Sequence, residues 1–562
     1  MTFMSGIMSD RPFRALLIVP RFRQHSFYNA KETCRIAGRK YTSMQLGLLT
    51  VAALLPQEWD FKYVDMNAYD LDESLIDWAD LVLTGGMLTQ EPEMRWIISR
   101  AHAHGKPAGV GGPDPTHRPE LYAEAEWRVL DEGEITIPPF VASLTRGEKG
   151  GTFRSNGEKP DLSVVPPPRY DLVDPGDYLY ACVQYSRGCP FDCEFCDIIE
   201  LYGRKSRVKS PEQFCAELQR LYDAGHRGHV GIVDDNLIGN KKDVKEMLRY
   251  LRGWLEERGW PFYFSTQLTL TVAHDEGLLQ LLADVDFRTV YIGIETPEPD
   301  VLAITNKKHN VLKPIFESVK KIYEAGIMVH SGFLFGFDGE SPNTSHAHKT
   351  CIEELGIIIA GCGLLVALPG TQLERRLRKE GRLLVRAPGA DSWGEGRKYD
   401  QITQGLNYVS HRPRLTILKE FRNLRAHLFT PTAYFKRVRT FIGLFRPHSV
   451  KHKPSLWSLP KFARMYLHGF AVVAGRPGMW WETAKTLAYG LTKGLSGLVT
   501  ACAMTVYYLH LGPQTEHVVA DLDEHIREIE KLGEEAYNRR RHLVIAEPPR
   551  EEETAQAPSS SS

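Results

Sequence analysis

The chain has 562 residues, 43% hydrophobic and 25% charged, with a formal net charge of −1. Those values suit a soluble globular protein of several domains and exclude a disordered polyelectrolyte. A charge so near zero offers nucleic acid no global field, and nine irregularly spaced cysteines exclude a disulfide framework.

The opening residues, MTFMSGIMSDRPFR, carry no cationic segment followed by an apolar run. No secretory leader is therefore expected, and a reducing cytoplasm is the expected compartment. RALLIVP (14–20) reads as a buried strand, and QLGLLTVAALLP (45–56) has helical spacing up to its proline. Residues 61–67, 79–86, 106–112 and 127–134 read as further strands. Strand and helix in alternation predict a parallel sheet, flavodoxin-like, over residues 1–150. Ligands of such sheets sit at the carboxyl ends of strands. TGGM (84–87) and VGGPDPT (110–116) fall at such ends. Residues 151–178, rich in Gly and Pro without a sustained period, read as a linker.

A second series occupies residues 179–375. Strands at 181–187, 229–235, 262–268, 289–295, 329–337 and 363–368 alternate with helices at 211–224, 241–258, 275–284, 313–326 and 343–357. Six βα steps are too few for a closed eight-stranded barrel and predict a partial one, open on one side. Residues 376–546 read as a helical region, with a charged amphipathic helix at 517–541, and 547–562 as a disordered tail. The most apolar run, residues 495–509, is shorter than the roughly 18–20 residues a bilayer span needs. No transmembrane helix is expected. The cations and aromatics of 459–485 are compatible with peripheral membrane contact and equally with packing on the barrel.

The densest chemistry lies in YSRGCPFDCEFCDIIELYGRK (185–205), with the spacing Cys189-x3-Cys193-x2-Cys196. It directly follows the first strand of the second series, so it is a loop at a carboxyl end. A structural zinc site closes with four ligands, and no fourth Cys or His stands nearby at zinc-finger spacing. An iron–sulfur cubane also takes four thiolates. Three leave one iron open to a substrate or cofactor. A structural zinc and three unrelated buried thiols are the alternative readings. Arg187, Arg204 and Lys205 flank the loop, either as solvated surface cations or to offset cluster charge.

The motif, its aromatic Phe195 and the six-step barrel resemble the radical S-adenosylmethionine superfamily. That resemblance implies a 4Fe–4S cluster held by Cys189, Cys193 and Cys196, with S-adenosylmethionine on the fourth iron. Cleavage of the sulfonium would give a radical that abstracts hydrogen from an unactivated carbon, the protein supplying orientation. By the same resemblance Phe195 lies beside the adenine. The strand ends supply Asp234 and Asp235 for the methionine amino group, and Ser265 and Gln267 for ribose or carboxylate. Glu295 serves ribose or amino group, and Gly336 gives backbone against the adenine.

A flavodoxin-like sheet ahead of such a barrel resembles the cobalamin-binding subclass. Thr84, Gly85, Gly86, Gly111, Gly112 and Pro113 are the residues implied to cradle the corrin, with DEGE (131–134) on the same rim. The DxHxxG motif that supplies a cobalt histidine in some cobalamin proteins is absent, and the nearest histidine, His25, has the wrong context. Both cofactors together imply methyl transfer to carbon of a small or lipid-like molecule. A protein reductant such as flavodoxin or ferredoxin would then be the partner, with no nucleic acid. The alternatives are a radical cyclase, mutase or oxidase with a scaffold N-terminal domain, and a redox or cobalamin sensor.

Overall fold

The computed structural model describes residues 11–23, 26, 29–311, 314–387, 402, 403, 405–452 and 459–547. Its N-terminal part supplies β1 (Arg14–Val19), β2 (Tyr41–Ser43), β3 (Asp60–Asp65), β4 (Leu81–Gly85), β5 (Ala108–Gly111), β6 (Trp127–Val129) and β7 (Gly151–Phe153). Six of these form one all-parallel sheet in the order β3-β1-β4-β5-β6-β7. Strand β1 alternates between two cores, as a sheet covered on both faces requires. Leu16 and Ile18 pack with Val82 and Ile97, while Leu17 and Val19 pack with Trp127 and Phe140. The strand order reverses between β1 and β4, where Thr84 donates from its hydroxyl to the Ile18 carbonyl at 2.9 Å. Such a reversal opens a crevice at the strand ends.

The second sheet adds β8 (Tyr178–Val183), β11 (Gly228–Ile232), β12 (Phe262–Gln267), β13 (Phe287–Glu295), β14 (Met328–Phe335) and β15 (Ala360–Leu364); the two-residue strands β9 (Ser186–Arg187) and β10 (Arg207–Val208) pair with each other. Each barrel strand lies beside its successor, all parallel, in the order β15-β14-β13-β12-β11-β8-β2. The intervening helices are amphipathic and capped. Helix Lys241–Glu257 begins where the Asn240 side chain accepts from the Asp243 amide, and it buries Val244, Met247, Leu248, Leu251 and Leu255 against the sheet.

Three boundaries differ from the sequence reading. Strand β7 extends the first sheet into the segment read as linker. Strand β2, within the stretch read as wholly N-terminal, pairs with β8 and becomes the edge of the barrel sheet. The helical region carries a short antiparallel ribbon of β16 (Leu384–Arg386) and β17 (Leu543–Ile545). Residues 548–562, read as a disordered tail, lie outside the described residues.

The open side of the barrel, between β15 and β2, is covered by helices. Phe421 of helix Arg414–Leu428 packs on Phe335 of β14 at 5.5 Å between ring centroids. Arg437 of helix Pro431–Leu444, fully buried, donates to the Ile357 and Leu428 carbonyls. At the opposite edge, helix Gly494–Leu532 contacts helix Lys31–Ala37, the neighbour of β2. The apolar run 495–509 is thus part of one 39-residue helix continuous with the charged stretch after it. By length and composition alone that helix passes for a membrane span, and 44% of its most apolar window is buried inside the protein.

Candidate active site

The cysteine loop leaves β8 and is bolted to the protein at several points. The Asp234 carboxylate accepts from the amides of Tyr185 and Ser186 at 2.8 and 2.7 Å, and from the Ser186 hydroxyl at 2.6 Å. Gly188, at φ +92°, lies so close to the Lys205 and Gly203 carbonyls that any side chain there would collide with backbone. Phe191 stacks on His309 at 3.8 Å, and Phe195 meets Phe337 edge-on at 5.5 Å. The two phenylalanines of the motif therefore clamp the loop against the barrel mouth.

Burial raises all three thiols above their ordinary range, Cys193 to about 11. Among the described residues no three His, Cys, Asp or Glu side chains converge on one metal ion. A cubane ligates each thiolate to a different iron, so this arrangement of three soft donors fits a cluster better than a closed single-ion site. Cluster binding must release the thiol protons. Lys307 assists. Burial opposes its charge, but Glu295 and Cys193 outweigh that and raise its pKa. Its ammonium lies 2.5 Å from Glu295 and 5.6 Å from the Phe195 ring centre. Glu295 itself holds a left-handed φ of +66°, which costs energy in a non-glycine residue. Gly293 lies below it, where a side chain would displace the Glu295 carboxylate and the Lys307 ammonium.

The remaining strand ends divide into engaged and free groups. Asp234 is engaged with the loop, whereas its neighbour Asp235 makes no side-chain hydrogen bond or ion pair among the described residues. Asp235 is raised to about 7 by burial and by the charges of Asp234 and Asp197. Ser265 lies 2.8 Å from the His229 imidazole, inside the barrel, and Gln267 is exposed at its mouth. Both hydrogen-bonding groups of Gly336 are taken within the chain. Its amide donates to Glu340 at 2.8 Å, its carbonyl accepts from Tyr408 at 2.6 Å, and Leu406 fills the space beside its α-carbon. The lumen is walled by Tyr180, His229, Tyr263 and His330. Burial holds His229 near 3 and His330 near 4, so both imidazoles are neutral at physiological pH.

The first sheet meets this mouth with its own carboxyl edge. Gly85, Gly86, Gly111 and Gly112 lie together, and a side chain on Gly85 or Gly112 would strike the backbone of Gly111 or Gly86. The result is a flat backbone shelf, with Thr84 turned into the sheet and Pro113 starting the next helix. Glu132 and Glu134, from DEGE, grip the cysteine loop's base. Arg187 donates to Glu132 at 2.8 Å and to both oxygens of Glu134 at 2.9 Å, and Arg207 donates to Glu132 at 2.8 Å. Arg187 is thus a buried interdomain ion, not a surface cation. Burial works against its charge, but the two glutamates outweigh it. Arg204 and Lys205 are exposed.

His117 was not singled out in the sequence. It is half-buried between the shelf and the cysteine loop, close to Asp197 and against Gly370, and its Nε2 has no hydrogen-bond partner. His25 lies outside the described residues. The shelf and this orphaned imidazole fit a large polar-edged cofactor such as a corrin.

The free Asp235 carries a pH signature. Its folded pKa of about 7 exceeds the ordinary 3.8, so in between the folded protein holds a proton that the unfolded chain has lost. Stability therefore falls as pH rises through that window, by at most about 1.4 kcal/mol per unit. Asp235→Asn raises the melting temperature of the cluster-free protein above that window and leaves it unchanged below. Thermal melts across the range check this, and a pH-independent effect contradicts it.

Comparison with known proteins agrees with this geometry. The radical SAM superfamily matches residues 183–349, and a domain of unknown function, DUF4070, matches residues 371–523. The Synechocystis protein called methyltransferase sll1242 is 39% identical over 525 residues, covering 92% of this chain and 94% of that one. The hopanoid C-2 methylase of Rhodopseudomonas palustris is 38% identical over 342 residues, 60% of this chain and 65% of its own length. The radical S-adenosylmethionine methyltransferase TsrM of Kitasatospora setae, solved with cobalamin and a 4Fe–4S cluster, shares the fold. Its TM-score is 0.56 at 15% identity, covering 82% of this chain and 100% of that one. The chain therefore belongs to the radical S-adenosylmethionine superfamily, whose members carry a 4Fe–4S cluster and S-adenosylmethionine, and within it to the methyltransferase family that includes the Synechocystis protein.

Proposed function

We propose that the protein methylates an unactivated carbon of an apolar, lipid-like molecule, with cobalamin seated on the glycine shelf. The observation that carries this reading is the facing of two carboxyl edges. The shelf at β4 and β5 and the cysteine loop after β8 are locked together by Arg187, Arg207, Glu132 and Glu134. When bound, the cluster and S-adenosylmethionine supply a hydrogen-abstracting radical, and cobalamin supplies the methyl group.

The chain's own residues then have distinct tasks. Cys189, Cys193 and Cys196 hold the cluster, and Lys307 offsets its negative charge. Asp234 fixes the loop, which frees Asp235 to accept from the cofactor's ammonium group. Glu295, Ser265 and Gln267 offer acceptors and donors around the mouth, and Phe195 offers a ring face. The substrate lies in the lumen beside tyrosines and neutral imidazoles. Two relatives, 38% and 24% identical, bear names that specify hopanoid carbons, which supports a polycyclic hydrocarbon as the first substrate to try. A small electron-carrier protein such as flavodoxin or ferredoxin supplies the electron.

Anaerobically reconstituted protein, given S-adenosylmethionine, cobalamin, a reductant and a hopanoid, releases 5′-deoxyadenosine and S-adenosylhomocysteine together with a product one methyl heavier. Deoxyadenosine without S-adenosylhomocysteine across a panel of apolar substrates would mean a cyclase, mutase or oxidase instead.

A further inference from the structure

Soluble helices turn charged residues outward. Helix Pro477–Thr492 and the start of helix Gly494–Leu532 also turn large apolar side chains outward. Trp481, Leu491 and Leu495 are 70%, 65% and 77% exposed, and Trp480 and Val499 stand beside them more than half exposed. Trp480, Trp481 and Leu491 lie on the exposed half of helix Pro477–Thr492, and Leu495 and Val499, four residues apart, on that of the next helix. Leu467, on helix Leu459–Ala474, is 72% exposed. Large apolar side chains gathered on a surface mark an interaction site, whereas single ones do not.

The charge around them is one-sided. Residues 476–499 contain three cations, Arg476, Lys485 and Lys493, and one acid, Glu482, in a chain whose net charge is −1. Glu482 is turned inward and neutralised by Arg439 at 2.9 Å and Lys485 at 3.1 Å. Arg476, Lys485 and Lys493 are exposed among the apolar residues. The Lys485 ammonium lies 4.8 Å from the centre of the Trp481 ring, and that of Lys493 lies 5.6 Å from the Tyr489 ring. Tryptophan with lysine at the rim of an exposed apolar face is the composition of an interfacial membrane surface. A second copy of the chain would bring like charges together, whereas anionic headgroups would neutralise them.

The same helix connects this surface to the barrel. Tyr507 is twelve residues beyond Leu495, about 18 Å along the axis. Its ring lies close to Tyr180 in the barrel wall and to Cys34 in the helix beside β2. We infer that the exposed side of these two helices is a docking surface for an anionic lipid bilayer. It holds the protein against the phase in which an apolar molecule is dissolved. Binding stands independently of which carbon is methylated.

Flotation of the full-length protein with vesicles tests it. The protein floats with phosphatidylcholine vesicles containing phosphatidylglycerol, less with phosphatidylcholine alone, and less again at high salt. Trp480→Ser with Trp481→Ser and Leu495→Ser lowers partitioning at least about tenfold. Arg476→Glu with Lys493→Glu lowers it about fivefold per cation, on the anionic vesicles only. These residues are exposed, so circular dichroism and melting temperature stay as in the parent, which separates lost binding from lost folding. Absence of flotation overturns the proposal, as does undiminished flotation of the triple variant. So does a dimer in solution that the same triple variant dissociates, which would make a second copy the occupant.

Discussion

Cys189→Ala, Cys193→Ala and Cys196→Ala each leave the protein unable to hold its cluster, and release of 5′-deoxyadenosine falls by at least about 100-fold. Loss of an outer-shell partner alone costs up to about that much, and these are direct ligands. The thiols are protonated in the empty protein because burial raises them, so loading is favoured by rising pH as well as by iron and sulfide. Iron and sulfide analysis with Mössbauer spectroscopy, beside a nucleoside assay, reads both outcomes. Cys351→Ala, at a cysteine on helix Thr344–Glu354 away from the loop, retains loading and turnover. A variant of the trio that keeps both would remove the basis of the functional reading.

Arg187→Met destabilises the cluster-free protein by about 3–5 kcal/mol, the usual cost of leaving a buried charge without its partner. Its side chain contacts Glu132 and Glu134 in the other domain, and all three side chains are almost wholly buried. Glu132 retains Arg207, so Glu134 is the group stranded. Arg187→Met combined with Glu134→Gln therefore recovers much of the loss, since removing both charges is far less costly than removing one. Urea unfolding of parent, single and double variants gives the coupling. A single variant within about 1 kcal/mol of the parent, as expected for a surface pair, would contradict the buried assignment.

The sequence made the two βα series legible because hydrophobic period, caps and strand-ending glycines agree with one another there. The cysteine motif was legible because its spacing is a chemical requirement. Other features depend on which way a side chain turns. Asp234 and Asp235 are identical neighbours beyond the end of the strand Gly228–Ile232, yet one engages the loop amides and the other does not. Arg187 beside an iron–sulfur motif reads like any flanking cation, since its glutamate partners are more than fifty residues away. Tyr41–Ser43 is too short to show a period, so its membership of the barrel is set by tertiary pairing alone. Gly512 and Pro513 lie within helix Gly494–Leu532, where packing on neighbouring helices overrides local propensity.

That short edge strand also has a consequence for biosynthesis. Tyr41–Ser43 leaves the ribosome some 135 residues before Tyr178–Tyr180, the segment it must zip against. At ordinary elongation rates the nascent chain waits about 7–27 s with that hydrogen-bonding edge unmatched. The first sheet has all six of its strands by Phe153, whereas the barrel sheet gains this edge only once Tyr180 has been made.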